Sequence, residues 1–138
     1  MAGLADSIMK SVSALKGIQK GLDAAYQDTL LDIGISLVFF TPLDTGAASS
    51  NWNVGQTASY SEPRVPTGGN KGDASISAIT NQVKIIKAGS NSVFFNNVDY
   101  IDELEAGKSQ QARAGMLAPT KARINGFWIN NLKKYGFK

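Results

Sequence analysis

Apolar residues recur at steps of three and four along the first forty positions. Ile8, Val12, Leu15, Ile18 or Gln19, Leu22, Ala25 or Tyr26, Leu30, Ile33, Leu37 and Phe40 fall on one stripe of a helix, with Asp6, Lys10, Lys16, Lys20, Asp23, Asp28 and Asp32 mostly opposite. The spacing predicts one helix over residues 1–40. About 35 helical residues span roughly 50 Å, more than a compact domain of this size needs, so part of the helix is expected to pack against another chain. Gly17, Gly21 and Gly34 each weaken it by about 1 kcal/mol relative to Ala, which makes residues 17–21 the candidate place for a kink or break. Thr41-Pro42 ends it, because proline disfavours helical geometry in the residue before it.

Past Pro42 the pattern changes. Asp44-Thr45-Gly46 signals a turn, and residues 50–59 read as a strand with Trp52 and Val54 facing the core at period two. Residues 60–72 hold Pro63, Pro66, Gly68, Gly69 and Gly72 and read as a mobile surface loop. Ile76, Ile79, Val83 and Ile86 predict a second helix to about Lys87, with Asp73 as its N-cap. Gly89-Ser90-Asn91 turns the chain into a second strand over 92–98, followed by a short helix over 99–105 and a polar link over 107–115. A third long helix is expected over 116–135, carrying Ile124, Phe127, Trp128, Ile129, Leu132 and Tyr135. Helices at both ends and strands between give an α+β chain, with a long N-terminal helix, a small antiparallel sheet and a C-terminal helix packed on it, in one domain over 1–138.

Composition narrows the chemistry. The 138 residues include no cysteine and no histidine, 43% are hydrophobic and 18% charged, and the net charge is +3. Zinc fingers, iron–sulfur clusters and haem sites with His or Cys ligands are excluded, as are Cys–His and Ser–His–Asp nucleophile systems. Carboxylate, Lys, Tyr or Ser–Lys chemistry remains. Without an apolar run of membrane-spanning length or a signal-peptide block, the expectation is a soluble protein made in a cytoplasm, with no membrane partner. Charge is uneven: residues 108–138 hold seven basic residues and no acidic one. That basic segment, with Lys121, Arg123, Lys133 and Lys134 as candidate contacts, suits DNA or the acidic face of a neighbouring subunit.

Short motifs in the chain have simpler structural explanations. Ser7 and Lys10, like Ser13 and Lys16, match Ser-x-x-Lys, a spacing common on polar helices, and the companion elements of penicillin-recognising enzymes are missing. Gly107-Lys108-Ser109 resembles the end of a phosphate-binding loop, but Asp102 stands where that loop needs a glycine. Asp99, Asp102, Glu103 and Glu105 form the one carboxylate cluster; at the start of a helix such charges are favoured by the macrodipole without a metal or substrate. Lys133, Lys134 and Lys138 are likewise favoured at a helix C-terminus, and Trp52 and Trp128 sit in apolar patterns that suit packing. The residues thus give no catalytic, cofactor or metal site.

Two segments carry a resemblance. Thr41-Pro42-Leu43-Asp44-Thr45-Gly46 followed by Ser50-Asn51-Trp52, and the run from Asn96-Asn97 through Tyr100, Leu104-Glu105, Gly107, Ser109 and Gln111-Ala112 to Gly115-Met116, resemble the signature of the phage tail-completion or head–tail joining (neck) proteins. The likeness covers roughly residues 30–135, with Ile101 where the family pattern has Ala and Arg113 where it has Pro. It implies a non-enzymatic virion component without cofactor: a homo-oligomeric ring, a hexamer, that touches the head connector or head-closure protein on one side and the tail terminator or tail tube on the other. Packaged DNA in the channel would be a non-specific partner. Asp44, Thr45, Gly46, Trp52, Asn97, Tyr100, Glu105, Gly107, Ser109 and Gln111 would then be scaffold, with Asp44 and Thr45 bonding a tight turn, Tyr100 and Glu105 pinning the short helix and Gly107 ending it. A head-closure or tail-terminator ring, and a small basic nucleic-acid-binding module, are the rival readings; a carboxylate-dependent hydrolase using Glu103 or Glu105 is a more distant one.

Overall fold

The computed structural model describes residues 2–43, 46–66 and 72–138. The chain is α+β. Helix α1, Ala2–Phe40, is followed by strand β1, Trp52–Gly55, helix α2, Asp73–Gln82, and strand β2, Val93–Asn96. The short helices α3, Ile101–Glu105, and α4, Leu117–Lys121, precede the C-terminal helix α5, Ile124–Lys134.

Helix α1 runs unbroken through all three interior glycines, against the kink or break expected at residues 17–21. Two of those glycines are points of close approach. A Cβ on Gly21 would lie 3.1 Å from the Phe137 ring, and one on Gly34 would lie 2.7 Å from Ile79 Cδ1. They let the C-terminus and α2 seat directly on the α1 backbone, and the gain in packing offsets their weak helix propensity. The helix ends where Thr41 Oγ1 donates to the Leu37 carbonyl at 2.5 Å and Pro42 follows.

The second half of α1 is the spine of the core. Leu30, Leu37 and Val38 pack with Trp52 and Val54 of β1, Ile79 of α2, Val83, Ile86 and Met116. The strands pair antiparallel, Trp52 opposite Asn96 and Val54 opposite Phe94, and are shorter than the expected 50–59 and 92–98. Trp52 and Val54 face the core as expected, yet Asn53 between them is only 5% exposed. Its face is covered by Arg64 and Gln82, both of which donate to Asn53 Oδ1 at 2.9 Å.

A two-stranded ribbon is marginal alone, and among the described residues β1 has no strand on its other edge. Side chains take that place. Ser75 Oγ accepts from Trp52 N and Gln82 Oε1 from Val54 N, both at 2.9 Å, while Arg64 donates to the carbonyls of Ser50 and Trp52 at 2.7 and 2.8 Å. Arg64 lies in the segment read as a loop over 60–72. At this residue the segment is fastened, with Asn51 bonding both the N–H and the carbonyl of Arg64.

Other boundaries also move. Asp73 is the first residue of α2, not its cap, and the helix tightens into a 3₁₀ turn at Val83–Ile85 before Lys87 is reached. The polar link contains a 3₁₀ turn, Gln110–Ala112, started by Ser109 Oγ accepting from Gln111 N. The single long helix expected over 116–135 is two. Pro119 is confined to the first turn of α4, where its missing N–H costs nothing. Thr120 is held to α1 by a buried bond to Ser36 at 3.0 Å, and α5 starts afresh at Ile124.

Ile79 is fully buried against Gly34 and the core, so Ile79→Ala is expected to cost about 2–5 kcal/mol of stability. Ile35→Ala on the exposed side of α1 should change it by no more than about 0.5 kcal/mol. Urea denaturation of the two variants checks the contrast.

Candidate functional site

The two segments that carry the resemblance lie far apart in sequence and meet in space. Asn96 Nδ2 donates to the Ala48 carbonyl at 2.8 Å, and Leu43 N donates to Gln111 Oε1 at 3.0 Å. Trp52 and Met116 are buried in the same core. Trp52 Nε1 donates to Thr41 Oγ1 at 2.9 Å, joining the end of α1 to β1. Gly46 has φ 78°, and its carbonyl accepts from Ser50 N, which closes the turn before the strand. Asp44 and Thr45 lie outside the described residues.

Glu105 does something other than pin its own helix. Its carboxylate accepts from Met116 N at 2.8 Å and from Leu117 N at 3.2 Å, capping the start of α4 from across the turn. That approach leaves no room beside the carboxylate: a Cβ on Gly115, where φ is +75°, would lie 2.5 Å from the Glu105 carbonyl oxygen. Gly107 ends α3 with φ +84° as expected, its backbone pressed against the Arg113 carbonyl. Asn97 Nδ2 donates to Ser61 Oγ at 3.0 Å. Tyr100, Ser109 and Gln111 border an open depression of about 560 Å³ with Glu103, Leu104 and Lys108.

The four carboxylates of residues 99–105 therefore do not converge. Glu105 turns to α4, whereas Asp99, Asp102 and Glu103 are exposed, and no metal-holding group of three or more His, Cys, Asp or Glu occurs among the described residues. The basic residues form no single patch either. Lys121 ends α4 and Arg123 caps the start of α5, whereas Lys133 and Lys134 lie at the end of α5, roughly 15 Å from Arg123 along the helix. Arg123 stacks on the Phe40 ring at 5.0 Å, and Lys134 bonds Asp28 at 2.7 Å, so half of the candidate set is engaged within the chain.

Asp28 accepts from Tyr135 as well as from Lys134, both at 2.7 Å. Burial pushes its pKa up, but the hydrogen bonds from Lys134 and Tyr135 and the lysine charge outweigh that and hold it below the ordinary 3.8. The same hydrogen bond to Asp28 raises the pKa of Lys134 and of Tyr135. Beside this cluster, Asn131 spans Thr29 and Asp32 at 3.0 and 2.9 Å and fastens α5 to α1.

The largest uncovered apolar surface lies elsewhere. All of residues 3–20 are exposed, with Leu4 at 68%, Met9 at 64% and Leu15 at 65%. This half of α1 stands off the body as an arm. Where it joins the body, Leu22, Tyr26 and Ile33 of α1 face Ile124 and Trp128 of α5 across an apolar groove of about 730 Å³, with Phe94 in its wall.

Sequence periodicity points to the arm but not to the groove, whose far wall depends on how α5 crosses α1. It also misses Arg64, Ser75 and Gln82 as the edge of β1; a lone Arg between Pro63 and Pro66 is the single hint of that clamp. No helix among the described residues is long and apolar enough to cross a membrane. Comparisons with protein-family models, curated proteins and solved structures found no match to the chain.

Glu105→Ala leaves two amides of α4 without their acceptor and is expected to cost about 1–3 kcal/mol, while Glu105→Gln, which keeps a carbonyl oxygen, should cost less. Thermal denaturation of both variants tests this. A depressed carboxylate pKa adds stability above its unfolded value and loses it as pH falls through the folded one. Asp28→Asn should therefore lower the melting temperature at neutral pH, by a margin that shrinks as pH falls through the folded value of Asp28. The raised pKa values of Lys134 and Tyr135 add stability that is lost at the alkaline end, so the gap between parent and variant should also close above the folded values of those two groups.

Proposed function

We propose that this chain is a structural subunit of the phage neck, whose copies assemble as a ring that joins the head connector to the tail. The observation that carries this reading is the arm. Leu4, Ile8, Met9, Leu15 and Ile18 are each at least half exposed on a helix that is already formed. A monomeric soluble protein seldom leaves so continuous an apolar stripe uncovered, and a ring of identical subunits covers it with the neighbouring copy.

The motif segments agree with that role. Gly46, Trp52, Glu105, Gly107 and Gln111 are used in turns, caps and the core, which is the work of a scaffold that must hold its shape under load. Six copies, and neighbours at the head connector or head-closure layer and at the tail terminator or tube, follow from the resemblance. Lys121 and Lys133, exposed on the body, are the residues left to meet packaged DNA or an acidic neighbour.

Native mass spectrometry and negative-stain images of the purified full chain test the proposal, together with addition of the protein to isolated tails. A closed ring that binds tails is the expected result. A strict monomer that neither binds nor completes tails overturns the reading, and duplex affinity that falls steeply with salt in such a monomer replaces it with a nucleic-acid-binding module.

A further inference from the structure

We infer that the groove between α1 and α5 is the seat for the N-terminal arm, residues 3–20, of a second copy of this chain. The inference rests on the assembly reading above and names the two surfaces that meet.

The arm has the form of a groove ligand. Leu4, Ile8, Leu15 and Ile18 follow one another at four, seven and three residues, with Val12 beside them, so they project from one side of a helix as anchors. From Leu4 to Ile18 that row is about 21 Å long, and the α1 wall of the groove from Leu22 to Ile33 is about 16 Å, so the two match to within a helical turn. The groove lies between two helices, and a third helix packs naturally into such a trough, its apolar row against Tyr26, Ile33, Phe94 and Trp128.

The arm of the same chain cannot fill it. Arm and groove wall belong to one unbroken helix, and the stripe that ends at Ile18 continues directly into Leu22, so the arm points away from the groove it would have to enter. Another copy has no such restriction.

Area and charge favour a second copy over an unrelated partner. The six exposed aliphatic and Met side chains of the arm carry on the order of 500 Å² of apolar surface. One arm in one groove, counting both faces, buries about 1,000 Å² in total, the size at which a specific interface begins. The arm bears Lys10, Lys16 and Lys20 against Asp6 alone, whereas residues 21–40 bear Asp23, Asp28 and Asp32 and no basic residue. Staggering one α1 along another brings opposite charge blocks together. Asp23 and Asp28 already hold Lys87 and Lys134, so this charge pattern sets register and the apolar row supplies affinity.

The absence of native cysteine makes the test direct. Full-length Ile8→Cys and Asn125→Cys proteins, one thiol on the arm and one at the groove, are mixed and oxidised gently, and the assembly mass is measured in parallel. A disulfide-linked dimer is expected from the mixture and from neither protein alone. Leu15→Glu, which alters only the exposed arm, should weaken association at least about tenfold with helical content unchanged, because its charge would enter an apolar seat.

Self-linking of the Ile8→Cys protein overturns the inference, since arms would then pair with arms. So does linkage within one chain of the double variant at high dilution, or loss of association in Phe39→Ser but not in Leu15→Glu. Arms that bind phosphatidylserine vesicles while the chain shows no self-association overturn it as well. A ring without the arm-to-groove link sinks this inference and leaves the neck reading standing; a twofold dimer with the link does the reverse.

Discussion

The indole N–H of Trp52 reaches the hydroxyl of Thr41, and that hydroxyl in turn donates to the Leu37 carbonyl at the last turn of α1. One short chain of hydrogen bonds thus ends the helix, fixes the strand and buries the largest ring of the core. Everything after it is positioned from there. Trp52 N and O are the first groups of the β1 edge that Ser75 and Arg64 satisfy, and Met116, which follows the turn held by Glu105, is buried in the same core. A buried indole that lost the Thr41 oxygen would leave an unsatisfied donor in the core and release the register of a sheet with only two strands to hold it.

The body is accordingly a small apolar core inside a frame of polar contacts. Among the described residues every buried side-chain nitrogen and oxygen has a partner. Asn51, Asn53, Ser49, Ser75 and Thr120 are all nearly inaccessible to solvent. Satisfied networks of this kind specify one arrangement, because each member has a single geometry in which its bonds are met.

How much of this was legible in the sequence depends on the range of the interaction. The 39 residues of α1 were readable because the 3.6-residue period persists over ten turns, and the burial of Trp52 and Val54 because alternation is local. The turn glycine Gly46 and the helix-ending Gly107 were readable for the same reason. The edge of β1 was not: Arg64, Ser75 and Gln82 come from three different stretches, and polar residues give no periodic signal for long-range pairing. The division of the C-terminal helix was hidden by apolar spacing that runs on across 116–135, because the break after Lys121 depends on how Thr120 meets Ser36 of α1. Glu105 was expected to pin α3; its carboxylate instead meets Met116 N and Leu117 N across the turn at Gly115, a pairing with no local signal.

The same distinction bears on assembly. A stripe of apolar residues along a helix states that something covers it, and for residues 21–40 the covering elements are α2, α4, α5 and β1 of the same chain. For residues 3–20 no element of the described chain does so, although the stripe is the same stripe and shows no change of period at the boundary. Leu4, Ile8 and Leu15 make no contribution to the body, yet they stand in register with Leu22, Tyr26 and Ile33, which do. The period continues across Gly17 and Gly21 and the helix is unbroken through both, so arm and spine are one element. A force on the arm would therefore be carried into the core through Gly34 and Ile79, to the sheet that the Trp52–Thr41 bond holds in place.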